Sequence, residues 1–283
     1  MTVLTLREVP PATGDRMMFI GDGFVAYIVA PQDGFDWSYR NLRNPDPPYG
    51  YHEMVGREFF AVDAHTVFAP NVLPMNGRIV EPQNLRQIMH LPFGITHCRS
   101  PAPEHAGDVT YLEKPGHAFG MTNGGCPALV LSGYNDDGKF ILVTAHAALE
   151  SILNGVIDSM AELATRLGCS KLSRLNLYGF FQIPTTELVY WSQDPKYGAK
   201  NIATLERIRT EFGPEAIVPH PKHGRECISI GTMVLLRGLR FCNVISVEDN
   251  VLPIAGDFAY TTNPVPGRGG IARNHVIVLR THP

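Results

Sequence analysis

Cys126, His146 and His90 are the residues of this sequence whose types and spacing could do chemistry. Cys126 closes the run MTNGGC and opens onto the apolar run PALVLSG; His146 closes a second apolar run, FILVTAH. A thiol and an imidazole at the ends of two adjacent strands, with another imidazole upstream, support two kinds of reaction. The thiolate can be a nucleophile with a histidine as its base. Two imidazoles and a thiolate can instead hold a zinc ion whose fourth position stays open for water or substrate. The residues themselves leave both readings open.

The elements that must position these side chains are the best patterned in the chain. HAFGMTN, PALVLSG and FILVTAH are short apolar runs bounded by glycine or polar turns, which reads as buried strands. Asn135-Asp136-Asp137-Gly138 between the last two is a hairpin turn. After His146, Leu149, Ile152, Leu153, Val156, Ile157, Met160, Leu163, Ala164 and Leu167 recur at steps of three and four. That stripe predicts one continuous helix from Ala147 to Leu167, ended by Gly168 and lying on a sheet. A helix starting beside His146 would lower its pKa and keep it neutral, and would favour the thiolate of a neighbouring cysteine.

Elsewhere the patterns are weaker. GFVAYIVA, RLNLYGFFQI, FCNVISV and NHVIVLR read as strands, and IATLERIRTEF as a helix. EMVGREFFAVDAHTVF is expected to form a short helix, and ISIGTMVLLRGL fits helix or strand. VPHPKHGRE reads as an open loop, so His220 and His223 are expected to be exposed. His97 and Cys98 are adjacent, and neighbours on a strand point to opposite faces, so a structural role is expected for both.

Composition narrows the function classes. The chain has 283 residues, 44% of them apolar and 18% charged, and a net charge of −3. That suits a globular protein and gives no electrostatic reason to expect nucleic acid or an anionic membrane as partner. The apolar runs are too short to span a bilayer, and the first residues lack the pattern of a secretory signal. Five cysteines, with no Cys-x-x-Cys pair, point to reduced thiols and a cytoplasmic location. No composition shift marks a boundary, so residues 1–283 are expected to form a single domain.

At GGCPALVLSG and FILVTAHAALESILNGVID the chain resembles the YfiH-like family, also called the multicopper polyphenol oxidoreductase or laccase-domain family. SYRNLRNPDPPYGY, NLRQIMH and DVTYLEKPGHAFGMTN are similar to further family segments. FCNVISVEDNVLPIAGDFAYTTNPVPGRGGIARNHVIVLR is similar to the family's C-terminal part. The resemblance implies an α/β (α+β) fold of four layers, α/β/β/α, with mixed sheets, shared with the cytotoxic necrotizing factor deamidases. It implies a centre of Cys126, His146 and His90, catalytic and able to hold zinc, with Tyr260 and Arg268 of the long loop on the substrate. Family activities include purine nucleoside phosphorolysis, adenosine deamination and hydrolysis.

The departures lie on the substrate side. Gly125 stands where the family has Asp before the Cys, and His146-Ala147-Ala148-Leu149-Glu150-Ser151 replaces its His-Ala-Gly-Trp-Arg-Gly run. Thr261-Thr262 replaces paired arginines. Arginine forks are the usual grip on phosphate, so their loss weakens phosphorolysis more than hydrolysis. The expectation is therefore a Cys/His hydrolase cleaving a C–N bond of a small molecule, an amide, amidine or nucleoside. The alternatives are a phosphorylase or deaminase proper, and a homologue that binds metal or partner without turnover. A laccase would need more convergent histidines than this sequence groups together.

Overall fold

Alternate residues of a strand face opposite sides, so a strand buried on both faces reads as an unbroken apolar run. β9 (Ala128–Tyr134) and β10 (Phe140–His146) are such strands, paired antiparallel through the tight turn at Asn135–Gly138. Ala128, Val130, Phe140 and Leu142 face one way, whereas Leu129, Leu131, Ile141, Val143 and Ala145 face the other. A computed structural model describes residues 7–9, 16–29, 51–69, 75–99, 106–123, 126–180, 188–246 and 274–283.

β9 and β10 belong to a five-stranded sheet with β7 (Val109–Tyr111), β11 (Asn176–Phe180) and β14 (Asn243–Ser246), in the order β14-β11-β9-β10-β7. A second sheet has eight strands. They are β1 (Arg7–Val9), β2 (Arg16–Gly21), β3 (Phe24–Val29), β4 (Thr66–Phe68), β5 (Arg86–Leu91), β6 (Ile95–Arg99), β8 (His117–Asn123) and β15 (Asn274–Arg280). Their order is β1-β2-β3-β15-β8-β4-β6-β5. β4 runs parallel to both neighbours and the other pairings are antiparallel, so the sheet is mixed.

Three apolar layers hold four structural ones. Phe19, Phe24, Ile28, Phe119, Val276 and Val278 of the large sheet pack on Val130, Phe140, Leu142, Tyr178 and Phe180 of the small one. The outer face of the small sheet packs on α2 (Leu149–Leu153), α3 (Val156–Arg166), α4 (Gly198–Phe212) and α5 (Ile230–Gly238). The outer face of the large sheet packs on α1 (Tyr51–Phe60) through Val55 and Phe59. The result is the four-layered α/β/β/α arrangement. Each fully buried Leu, Ile or Phe in these layers contributes about 1.5–3 kcal/mol relative to exposure. Among the described residues no helix is long and apolar enough to cross a membrane.

Several local expectations change. The helix begun at Tyr51 stops at Phe60, and Thr66–Phe68 is already strand β4. ISIGTMVLLRGL is helical, started by the Ser229 hydroxyl accepting from Thr232 N at 3.1 Å. VPHPKHGRE is not wholly open: its ends pair as β12 (Ile217–Pro219) and β13 (Glu226–Ile228), leaving His223 exposed in the turn and His220, against expectation, half-buried. Cys98, Cys169, Cys227 and Cys242 are buried thiols in no disulfide, and His97 is buried beside Cys98. Tyr260 and Arg268 lie outside the described residues.

The expected continuous helix from Ala147 to Leu167 is two helices. Asn154 ends α2, and Gly155 adopts φ 85° before α3 begins. The apolar stripe survives, because Ile152, Val156, Ile157, Met160 and Leu163 are all buried. The break admits the segment at Gly77, where a Cβ would come within 2.7 Å of the Asn154 carbonyl oxygen. The Asn154 side chain closes the contact by donating to Met75 O at 2.9 Å. A Cβ on Gly155 would meet only Asp158 Oδ2, at 3.6 Å, so its cost is conformational. Gly155→Ala should therefore lower stability by about 1–2 kcal/mol, and Gly155→Asn by less. Urea unfolding of the three proteins measures this; an alanine variant as stable as the parent would contradict it.

Candidate active site

Strand pairing brings three side chains together. In the β9–β10 register His146 is opposite Ala128, and Ala147 N donates to Pro127 O at 2.9 Å. Cys126 therefore sits on one flank of His146. On the other flank Ala145 is opposite Val109, and His146 N donates to Asp108 O at 3.0 Å. A central strand end thus carries the imidazole, with a thiol on one side and a carboxylate on the other.

Asp108 is fully buried and well satisfied. Its Oδ1 is 3.0 Å from His146 Nδ1 and accepts the Ser151 hydroxyl at 3.0 Å. Its Oδ2 accepts the Gly77 backbone N–H at 2.7 Å. These three contacts satisfy both carboxyl oxygens despite burial. Gly77 reaches it because φ 67° and the close approach to Asn154 exclude a side chain. An N–H on Nδ1 pointing at Asp108 leaves Nε2 as the nitrogen available to Cys126.

The electrostatics overturn one expectation. His146 was expected to be held neutral, but its pKa is raised to about 9. Burial opposes the charge; the Asp108 and Cys126 hydrogen bonds, with the charges of both partners, outweigh it. The helix that was to lower it, α2, spans only five residues. The imidazolium is therefore the favoured form at neutral pH. Linkage then has a definite sign. A pKa raised above the ordinary 6.5 contributes stability that is full below pH 6.5 and is lost as pH rises through about 9. The stability difference between the parent and His146→Gln should therefore shrink between those pH values. Denaturation curves across that range test it; a difference that grows with pH would contradict the raised pKa.

His90 is placed differently. It lies on β5, the edge strand of the large sheet, opposite Thr96, and is exposed. Among the described residues no three His, Cys, Asp or Glu side chains are grouped to hold a metal ion. The expected zinc set of His90, Cys126 and His146 is therefore not assembled, and the Nδ1 of His146 is already committed to Asp108. Among the described residues these donors do not form a three-ligand zinc site.

Asp108 is the residue that sequence reasoning missed. Beside Gly107 it reads as an ordinary turn carboxylate, and its partners are 31, 38 and 43 residues away. The available signal was the strand-like VTYL immediately after it, which makes Asp108 a strand-end residue like Cys126 and His146.

No family model and no curated protein matches the sequence. Solved structures do match its fold. YlmD from Geobacillus stearothermophilus aligns over 98% of this chain and 100% of its own, with TM-score 0.60 and 13% identity. A Neisseria meningitidis protein of the DUF152 family aligns over 94% and 99%, with TM-score 0.58 and 11% identity. The hypothetical protein YfiH from Bacillus licheniformis aligns over 95% and 97%, with TM-score 0.57 and 10% identity. The chain has the YfiH-like fold along nearly its whole length.

Proposed function

We propose that this chain of YfiH-like fold is a cysteine hydrolase that cleaves the C–N bond of a small-molecule amide. The observation that carries the reading is the line Asp108–His146–Cys126, in which a buried carboxylate orients an imidazole against a partly exposed thiol. Catalytic triads share this logic of nucleophile, base and orienting group.

The reacting form of the proposed pair carries the proton on His146 and the negative charge on sulfur. Cys126 Sγ attacks the amide carbon, forming a C–S bond. The tetrahedral intermediate collapses as His146 gives its proton to the leaving nitrogen, and the C–N bond breaks. The product amine departs and an acyl thioester remains on Cys126. Water then attacks the thioester with His146 as base, and the returning proton restores the pair while the acid leaves. Asp108 keeps the imidazole in one orientation throughout and stabilises its charged form.

Cys126 is the single cysteine that is not buried. Iodoacetamide should therefore add one group to the native protein, at Cys126, with loss of turnover on a panel of amides. Mass spectrometry should also find a thioester adduct after a rapid acid quench. Hydrolysis should proceed without phosphate. Turnover that required phosphate, or that survived full alkylation of Cys126, would overturn the proposal.

A further inference from the structure

We infer that the cleft beside Tyr190 is the substrate-recognition subsite of the Cys126 centre and takes a small molecule bearing a carboxylate or phosphate group. The inference rests on the hydrolase reading, which places the reacting bond at Cys126.

The cleft is built by backbone pairing. Residues 188–192 run along β13: Ile228 N donates to Leu188 O at 3.0 Å, and Tyr190 N to Glu226 O at 2.8 Å. The Ser192 hydroxyl adds a bond to Glu226 Oε1 at 2.9 Å, and Asn201 of α4 donates to Trp191 O at 2.9 Å. Between this segment, the start of α4 and Arg225 lies a space of about 460 Å³. That is the size of a small-molecule site. Tyr190 links it to the reaction centre. Burial raises the phenol's pKa, and the charges of Glu150 and Cys126 raise it further. The same ring packs against the apolar cluster that includes Ala145 and Ala147, the chain neighbours of His146.

The lining favours an anion. The Arg225 guanidinium lies over the Trp191 ring, 4.1 Å from its centroid. Stacking uses the guanidinium's face and leaves its in-plane N–H fork for a planar anionic group. Lys200 supplies a second cation. Neither is in an ion pair among the described residues. Asp194, the acid of the lining, accepts with Oδ1 from Lys196 N at 2.8 Å and Tyr197 N at 2.7 Å and also feels the charge of Arg225, so the lining carries two cations against one acid. The cleft is thus cationic in a chain whose net charge is −3.

The test uses the full chain carrying Cys126→Ser, titrated calorimetrically with N-benzoylglycine, phenyl phosphate and the uncharged N-benzoylglycinamide. At least one anion should bind about tenfold or more tightly than the uncharged amide, and the stronger of the two identifies carboxylate or phosphate. Arg225→Ala and Lys200→Ala should each weaken that anion about tenfold, as expected for lost charge-assisted bonds. Arg225→Lys, which keeps the charge without the fork, should fall between. In the parent protein the same anion should slow alkylation of Cys126 by iodoacetamide. Equal affinity for charged and uncharged ligands, affinity untouched by either variant, or absence of protection would each overturn the assignment. Amide turnover without these effects overturns the cleft alone. Anion binding and protection without amide turnover supports the cleft and overturns the hydrolase reading.

Discussion

Cys126→Ser should lower amide turnover by at least about 10⁴-fold, and His146→Ala by a similar factor, because nucleophile and base act as one unit. The double variant should then be no slower than either single one. Additive losses would mean that the two side chains contribute separately, which a proton-sharing pair does not allow. Cys126→Ser should remain folded, whereas His146→Ala leaves buried Asp108 without its imidazole partner and should lose about 3–5 kcal/mol of stability, so its rate is read under conditions where it is folded. Cys126 is only partly buried, and serine removes little packing there. Circular dichroism and urea unfolding serve as controls, and single-turnover kinetics with an amide substrate supplies the rate. A Cys126→Ser protein with near-parent turnover would exclude the thiol as nucleophile.

Asp108 variants should separate orientation from stability. Asp108→Asn keeps the size and, with its oxygen toward Gly77, still accepts that N–H, but its NH2 then takes the place of Oδ1 and presents a donor to His146 Nδ1 and Ser151. The imidazole would then be turned to the wrong tautomer, and turnover should fall about 10²–10⁴-fold. The pH profile should shift as well, since the raised pKa of His146 depends on the Asp108 carboxylate. Asp108→Ala removes the acceptor of three buried donors, the Gly77 N–H, the Ser151 hydroxyl and the His146 ring. Breaking a buried charged pair costs about 3–5 kcal/mol, so this variant should be strongly destabilised. An Asn variant with full activity and an unshifted pH profile would reduce Asp108 to a structural residue.

How much of this was legible in the chain differs from element to element. β9 and β10 could be read because both of their faces are buried, which leaves a run of apolar residues broken by one turn, Asn135–Gly138. The partnership of Cys126 with His146 followed from the same hairpin, since a tight turn sets the register and brings the two strand ends side by side. The four layers were expected from resemblance to the YfiH-like family, and the packing of α1 through α5 on the two sheets agrees.

Asp108 was not legible. It reaches His146 only because β7 pairs with β10, and its second oxygen is held by Gly77, which arrives through a gap in a helix that periodicity predicted to be unbroken. A glycine within an apolar stripe gives no warning of such a gap, because the stripe continues on the same face through α3. The charge of His146 was misjudged for the same reason: helix dipole and burial are local or average effects, whereas a carboxylate 3.0 Å away is a tertiary one. His90 was grouped with Cys126 and His146 by resemblance, and the structure places it on an edge strand of the other sheet. The sequence by itself determined the strands and the hairpin, because local periodicity and turn chemistry act along the chain. Only the tertiary structure decided which charges meet at the hairpin's end, because those contacts join residues that the chain keeps far apart.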